Sequence, residues 1–213
     1  ISLPKTHPLE PDTIHGEGWV SEWKIKSKSK ISSELVYIHD GKKGFPFKYR
    51  VNQEFFLINK SLCINIAITN IDNESFNCGI GFHPWFNIDK NSKIYSNSFT
   101  YIKELKKKIY KKKIFSRKKF LNLNKCKIDK TFIHWNGKAK LVINKDTTIE
   151  IKNKKNINNL HVYSPPKENF FCIEPVTNIS DAYNIMKYSE MYHGLKLLEV
   201  NKKFETKIEF RLI

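Results

Sequence analysis

Two short segments, far apart in the chain, carry the residues best suited to moving protons. They are Gly81-Phe82-His83-Pro84-Trp85-Phe86 and Phe171-Cys172-Ile173-Glu174-Pro175-Val176-Thr177. Each sets one titratable group beside a rigid proline, among apolar or aromatic neighbours. A histidine and a carboxylate held together can work as an acid–base pair, one giving a proton while the other takes one. Pro84 biases His83 towards extended backbone. Glu174 closes an apolar run, where an unpaired carboxylate is costly, so it is either paired or turned to solvent. A histidine among aromatic rings can equally be a core residue satisfied by one hydrogen bond. The carboxylate is what tips the reading towards chemistry.

Two further positions belong with these. His15-Gly16 lies just before Trp19 and Trp23, and Asp129 precedes Phe132-Ile133-His134-Trp135-Asn136-Gly137. Taken singly, either is a structural residue. Polar groups mixed with Trp and Phe faces are, however, what a sugar site needs. Rings pack on the C–H face of a pyranose while carboxylates and imidazoles hydrogen-bond its hydroxyls.

The elements that must position these residues are strands. Leu62, Ile64, Ile66 and Ile68 alternate with Cys63, Asn65, Ala67 and Thr69, and Ile208, Phe210 and Leu212 alternate with Lys207, Glu209 and Arg211. Period-two alternation of this kind marks half-buried strands. Further strand candidates cover residues 19–26, 35–39, 45–51, 55–58, 141–143, 149–151 and 160–163. Asn59-Lys60 and Lys145-Asp146 read as hairpin turns. Many short strands with closely spaced turns predict an all-β chain, an antiparallel β-sandwich, folded as a single domain over residues 1–213.

Composition narrows the function classes. The chain has 213 residues, 40% of them hydrophobic and 13% aromatic, enough to fill a core. No run approaches the roughly 18 apolar residues of a membrane helix, so no membrane partner is expected. The start, Ile1-Ser2-Leu3-Pro4-Lys5, shows no signal-peptide pattern and reads as a chain whose true beginning is absent. Cys63, Cys78, Cys126 and Cys172 form no CxxC pair, which favours reduced thiols and a cytoplasmic location. No metal-ligand spacing or Gly-rich phosphate loop is present, so neither metal nor other cofactor is expected. The net charge of +17 is nearly all Lys, set among abundant Asn and Ile. Lys is the residue less committed to planar phosphate recognition, and most of it reads as solvated surface. Residues 101–120 concentrate that charge around Leu105, Ile109 and Ile114. They read as a long solvated excursion between strands, with a basic arm for nucleic acid, using Tyr101, Tyr110 and Phe115 for stacking, as the competing reading. No nucleic-acid motif supports the latter, and nucleic acid is not expected as a partner.

At its polar and aromatic segments the chain resembles the aldose 1-epimerase (mutarotase) family, in the bacterial branch that carries a GFHPWF segment. The matching segments run in order. They are Ile14-His15-Gly16 with Trp23; Gly81 to Phe86; Asp129 to Gly137; Phe171 to Thr177 with Asp181-Ala182-Tyr183-Asn184; and Gly194-Leu195-Lys196-Leu197-Leu198. The resemblance implies a galactose mutarotase-like β-supersandwich, here lacking its first strands, and cofactor-free interconversion of the α and β anomers of an aldohexose. It implies Glu174 as general base, His83 as general acid, and His15 and Asp129 as ligands of sugar hydroxyls. The family's sugar-binding arginine has no counterpart, since Arg50 and Arg117 stand in other contexts. Two alternatives stay open: action on a hexose 6-phosphate, and a non-catalytic carbohydrate-binding domain on the same fold. The partner in each case is a small sugar or its phosphate, and the sequence leaves the oligomeric state open.

Overall fold

Alternation becomes pairing wherever a strand can bury one face. The computed structural model describes residues 13–42, 44–124 and 127–213; Cys126 and the Ile1–Lys5 start lie outside the described residues. In chain order the elements are α1 (Glu17–Val20), β1 (Lys24–Lys28), β2 (Ser32–Asp40), β3 (Lys48–Ile58), β4 (Ser61–Asn70), β5 (Phe76–Cys78), β6 (Trp85–Asn87), β7 (Lys93–Ser96) and β8 (Thr100–Lys106). They continue as β9 (Ile109–Ile114), β10 (Phe120–Asn122), β11 (Ile128–Ile133), β12 (Lys138–Val142), β13 (Thr148–Lys155), β14 (Asn159–Ser164), β15 (Phe170–Val176), α2 (Ala182–Tyr188), β16 (Lys196–Leu198) and β17 (Lys203–Leu212). The architecture is antiparallel β with little helix, as the alternation predicts.

The described residues group into two units. The first comprises residues up to 57, 64–78 and 197–205. Its strands hydrogen-bond in the order β1-β2-β3-β4, with β5 paired to β16. Its core includes Tyr37, Val51, Ile66, Ile68 and Phe76. Two expectations shift here. Residues 19 and 20 are helical rather than extended, in a turn whose Gly18 carbonyl accepts the Trp23 indole N–H at 2.9 Å. The strand expected from residue 45 starts at Lys48, because Phe45 and Phe47 turn their rings onto Phe76 at 5.7 and 5.2 Å instead of pairing.

The second unit comprises residues 58–63, 79–196 and 206–213. One of its sheets runs β17-β13-β12-β7-β10 and the other β6-β15-β14-β11-β8-β9. Each turns an apolar face inward: Ile94, Leu141, Ile151 and Ile208 from the first, Phe132, Leu160, Val162 and Ile173 from the second, all essentially inaccessible to solvent. The Asn59-Lys60 turn forms as expected, with Asn59 at φ +53°, a left-handed conformation that Asn tolerates. The Lys145-Asp146 turn is closed by Ile143 N–H donating to Thr147 O at 2.9 Å. Residues 101–120 depart from the expected excursion, since most of them form the β8–β9 hairpin. Ile102 and Tyr110 explain it: both pack, partly buried, on a cluster of Ile133, Ile179, Ala182, Ile185 and Leu195. Among the described residues Cys63, Cys78 and Cys172 are free thiols.

Candidate active site

Strand register builds the site. In β14, Leu160 and Val162 face the core, which leaves His161 and Tyr163 on the opposite face. Directly opposite residues of an antiparallel pair point the same way, with Cβ atoms about 5 Å apart. Opposite His161 stand Glu174 on β15 and Thr131 on β11; opposite Tyr163 stand Cys172 and Asp129. Trp85 of β6 lies opposite Cys172. One face of three central strands and an edge strand therefore gathers two carboxylates, a histidine, a thiol, a tyrosine and a tryptophan.

His83 reaches this face from the segment before β6. Phe82 N–H donates to Pro175 O at 3.0 Å, Thr177 N–H to Ile80 O at 2.9 Å, and Ile80 N–H to Thr177 Oγ1 at 2.9 Å. Gly81 bridges Val176 between these bonds, and a Cβ there would meet Val176 Cγ1 at 2.9 Å. The close approach thus needs glycine. It delivers His83 Nε2 to 3.4 Å from Glu174 Oε1, with side chains 17% and 9% exposed respectively. Trp85 stacks on the His83 ring with centroids 5.4 Å apart and meets Phe170 in a tilted contact at 4.4 Å, while remaining 53% exposed. An exposed aromatic surface beside a buried carboxylate–imidazole pair suits a pyranose ring.

Burial governs the electrostatics. It pushes the Glu174 carboxyl up to about 7; His161 opposes that rise and the Asp129 charge adds to it. Burial likewise holds the His83 imidazole below its ordinary value, opposed by a hydrogen bond to its own backbone and reinforced by His161. Both shifts favour the uncharged forms, a neutral carboxyl beside a neutral imidazole. Asp129 goes the other way. Its bond to His161, with Lys130 and Lys127 nearby, holds it below the usual carboxylate range.

The structure thus brings together His83 and Glu174 and places Asp129 on the same face, joined to them through His161. His15 belongs to the first unit, where it takes φ +60° and sets its ring 4.7 Å from Trp19. Its expected role rests on the sequence alone. His161 is the residue that sequence reasoning missed. The only signal was its position out of phase with Leu160 and Val162, and nothing local marks which strands flank it. Cys172 also converges, its Sγ, His83 and Glu174 offering three donors within 4.8 Å of one another. Burial pushes that thiol up to about 12, so it stands as a neutral thiol.

The segments beyond β15 brace it. Asn159 Nδ2 donates to Thr177 O at 2.7 Å and Ile179 N–H to His193 O at 3.1 Å. Asp181, at the start of α2, accepts the Tyr110 hydroxyl at 2.9 Å.

The chain matches the family model "Aldose 1-epimerase" over residues 1–211. It is 25% identical over 185 residues to the uncharacterized protein YphB of Escherichia coli (strain K12), covering 80% of this chain and 63% of that protein, so it spans less than two thirds of that relative's length. Its fold resembles the crystal structure of a candidate aldose 1-epimerase from Escherichia coli K12, with a TM-score of 0.82 and 23% identity over 99% of this chain and 75% of the other. It also resembles a galactose mutarotase-like protein from Clostridium acetobutylicum, with a TM-score of 0.80 and 18% identity over 99% of this chain and 72% of the other. The structural likenesses establish a galactose mutarotase-like antiparallel β-sandwich. With the family model spanning nearly every residue, including the segments that carry His83, Asp129 and Glu174, the chain belongs to the aldose 1-epimerase family.

Proposed function

We propose that this chain interconverts the α and β anomers of an aldohexose by acid–base ring opening and reclosure. The observation that carries the reading is the His83–Glu174 pair, 3.4 Å apart, mostly shielded from water and flanked by the exposed Trp85 ring. Glu174, as carboxylate, takes the proton of the C1 hydroxyl. The electrons of that O–H bond form the C1 carbonyl, the C1–ring-oxygen bond breaks, and the ring oxygen takes a proton from His83. Rotation about C1–C2 presents the other carbonyl face. On reclosure the ring oxygen attacks C1, returns its proton to His83, and the new C1 oxygen recovers a proton from Glu174. The sequence balances without a cofactor. Each well-placed acid or base contributes on the order of 10² to 10⁴ in rate.

The reactive state holds one proton across the pair, on His83 rather than Glu174. With His83 held low and Glu174 raised to about 7, the proton of the singly protonated pair rests mainly on Glu174, and the reactive form is its minor tautomer. A bell-shaped pH profile is expected, its alkaline limb near 7 and reporting the pair as a whole. Asp129 is assigned a sugar hydroxyl. Lys127 and Lys130 beside it favour a second reading, a hexose phosphate whose phosphoryl group lies at that end.

Polarimetry on fresh α-glucose and α-galactose, with this chain against Glu174→Gln, tests the proposal. Accelerated mutarotation that vanishes in the variant is expected. Full activity in Glu174→Gln sinks the assignment. Inactivity on both free sugars with activity on their 6-phosphates selects the second reading, and inactivity with measurable sugar binding selects a non-catalytic carbohydrate-binding domain. No helix among the described residues is long and apolar enough to cross a membrane.

A further inference from the structure

The acid–base pair does not stand alone on its sheet face. His161 Nε2 lies 3.4 Å from Asp129 Oδ1, and the ring's other nitrogen lies 2.8 Å from Thr131 Oγ1. Thr131 Oγ1 is in turn 3.1 Å from Ser180 Oγ, so both ends of the imidazole are held. On its other flank His161 is the direct cross-strand neighbour of Glu174. Its side chain is 16% exposed, whereas that of Asp129 is 64% exposed and available to a ligand. We propose that His161 is a positioning residue that ties the substrate-facing Asp129 to the base Glu174, orienting the first carboxylate and keeping the two negative charges from opposing one another.

Two carboxylates on one partly desolvated face repel, and each makes the other harder to ionise. A cation between them removes that conflict for both. Facing Glu174 are His83 from the segment before β6, His161 from β14, Asp129 from β11 and Cys172 on its own strand. Facing His161 are Asp129, Glu174 and Thr131, and its charge also opposes protonation of His83. Among these His161 is the group placed against both carboxylates. The Thr131 hydroxyl suits either charge state of the ring: it donates to Nδ1 of the neutral imidazole or accepts from the imidazolium and donates to Ser180. Asp129, turned outward, is held by Nε2 in one orientation instead of sweeping several rotamers. That lowers the entropy lost when it engages a hydroxyl.

The inference rests on reading Glu174 as the base, and its test separates the two. In protein labelled with ¹³C at glutamate side-chain carboxyls and at histidine rings, the Glu174 and His83 titration midpoints are read by NMR. Glu174→Gln and His83→Ala assign the signals, so no turnover is required. In His161→Gln both midpoints should move to higher pH, that of Glu174 by about one pH unit. His161→Lys, which restores a cation, should bring them back down. In the activity assay both limbs of the pH profile should move alkaline in His161→Gln, with KM raised through the loosened Asp129. Unmoved midpoints in a folded His161→Gln overturn the proposal. If that variant fails to fold, Thr131→Val takes its place: it releases one end of the ring, and an unchanged KM and profile there overturn the proposal equally. Moved midpoints in a chain that accelerates no mutarotation would refute the base assignment while leaving the link from His161 to Glu174 intact.

Discussion

One sheet of the second unit holds two very different ways of carrying charge. At one end, β6, β15, β14 and β11 present a few titratable groups whose surroundings exclude water: Glu174 is 7% exposed and lies against a histidine at 3.4 Å. At the other end, the β8–β9 hairpin holds Lys103, Lys106, Lys107, Lys108, Lys111, Lys112 and Lys113, all exposed, with Lys103 directly opposite Lys111. By charge count the hairpin dominates. By chemistry the other end does, because only desolvation and a near partner move a proton equilibrium far from its ordinary place. Exposed like charges across a ribbon cost little, since water and salt screen them. The hairpin forms because Ile102 and Tyr110 pack on the neighbouring cluster, while its lysines stay exposed, Lys103, Lys111 and Lys113 on the opposite face.

The contrast can be broken most severely at the site. His83→Ala should lower kcat by roughly two orders of magnitude or more, since a proton donor to the ring oxygen is lost. A raised KM with kcat intact would make His83 a binding residue and the site a recognition surface. Next in size is a stability effect of the opposite sign. The Glu174 carboxyl is raised from an ordinary 4.5 to about 7, so below 4.5 it is protonated in both folded and unfolded chains and costs nothing. As pH rises towards 7 the unfolded chain ionises first and the folded state loses ground, fully so above 7. Glu174→Gln escapes that loss. It should be more stable than the parent by about 3 kcal/mol at pH 9, with the gap closing near pH 4. Equal urea midpoints at both pH values would show that Glu174 is solvated and the comparison misplaced.

The smallest effect sharpens the other side. Replacing Lys103, Lys111 and Lys113 with Gln should leave mutarotation within twofold and raise stability by at most a few tenths of a kcal/mol, through relief of like charges across the ribbon. A large loss of turnover would give the basic ribbon a part in the reaction. Steeply salt-dependent nucleic-acid affinity lost in the same variant would revive the reading of a basic arm.

The sequence by itself determined that the chain is antiparallel β and which faces are buried, because side chains on a strand alternate and burial selects one phase. It also singled out His83 and Glu174, whose prolines and apolar flanks are local properties. Which strands become neighbours is not local. His161 gains its partners from β11 and β15 through register with residues 30 and 13 positions away, as Thr131 and Glu174 lie opposite it. The ribbon of residues 100–114 was equally hidden, since its partly buried Ile102 and Tyr110 find their cluster only in β11, α2 and the segments around it. Even the distance from His83 to Glu174 depended on Gly81 lying against Val176. Composition and periodicity decide what each strand can bury; only the folded sheet decides which charges lose their water together, and that loss is what shifts the titrations of Glu174 and His83.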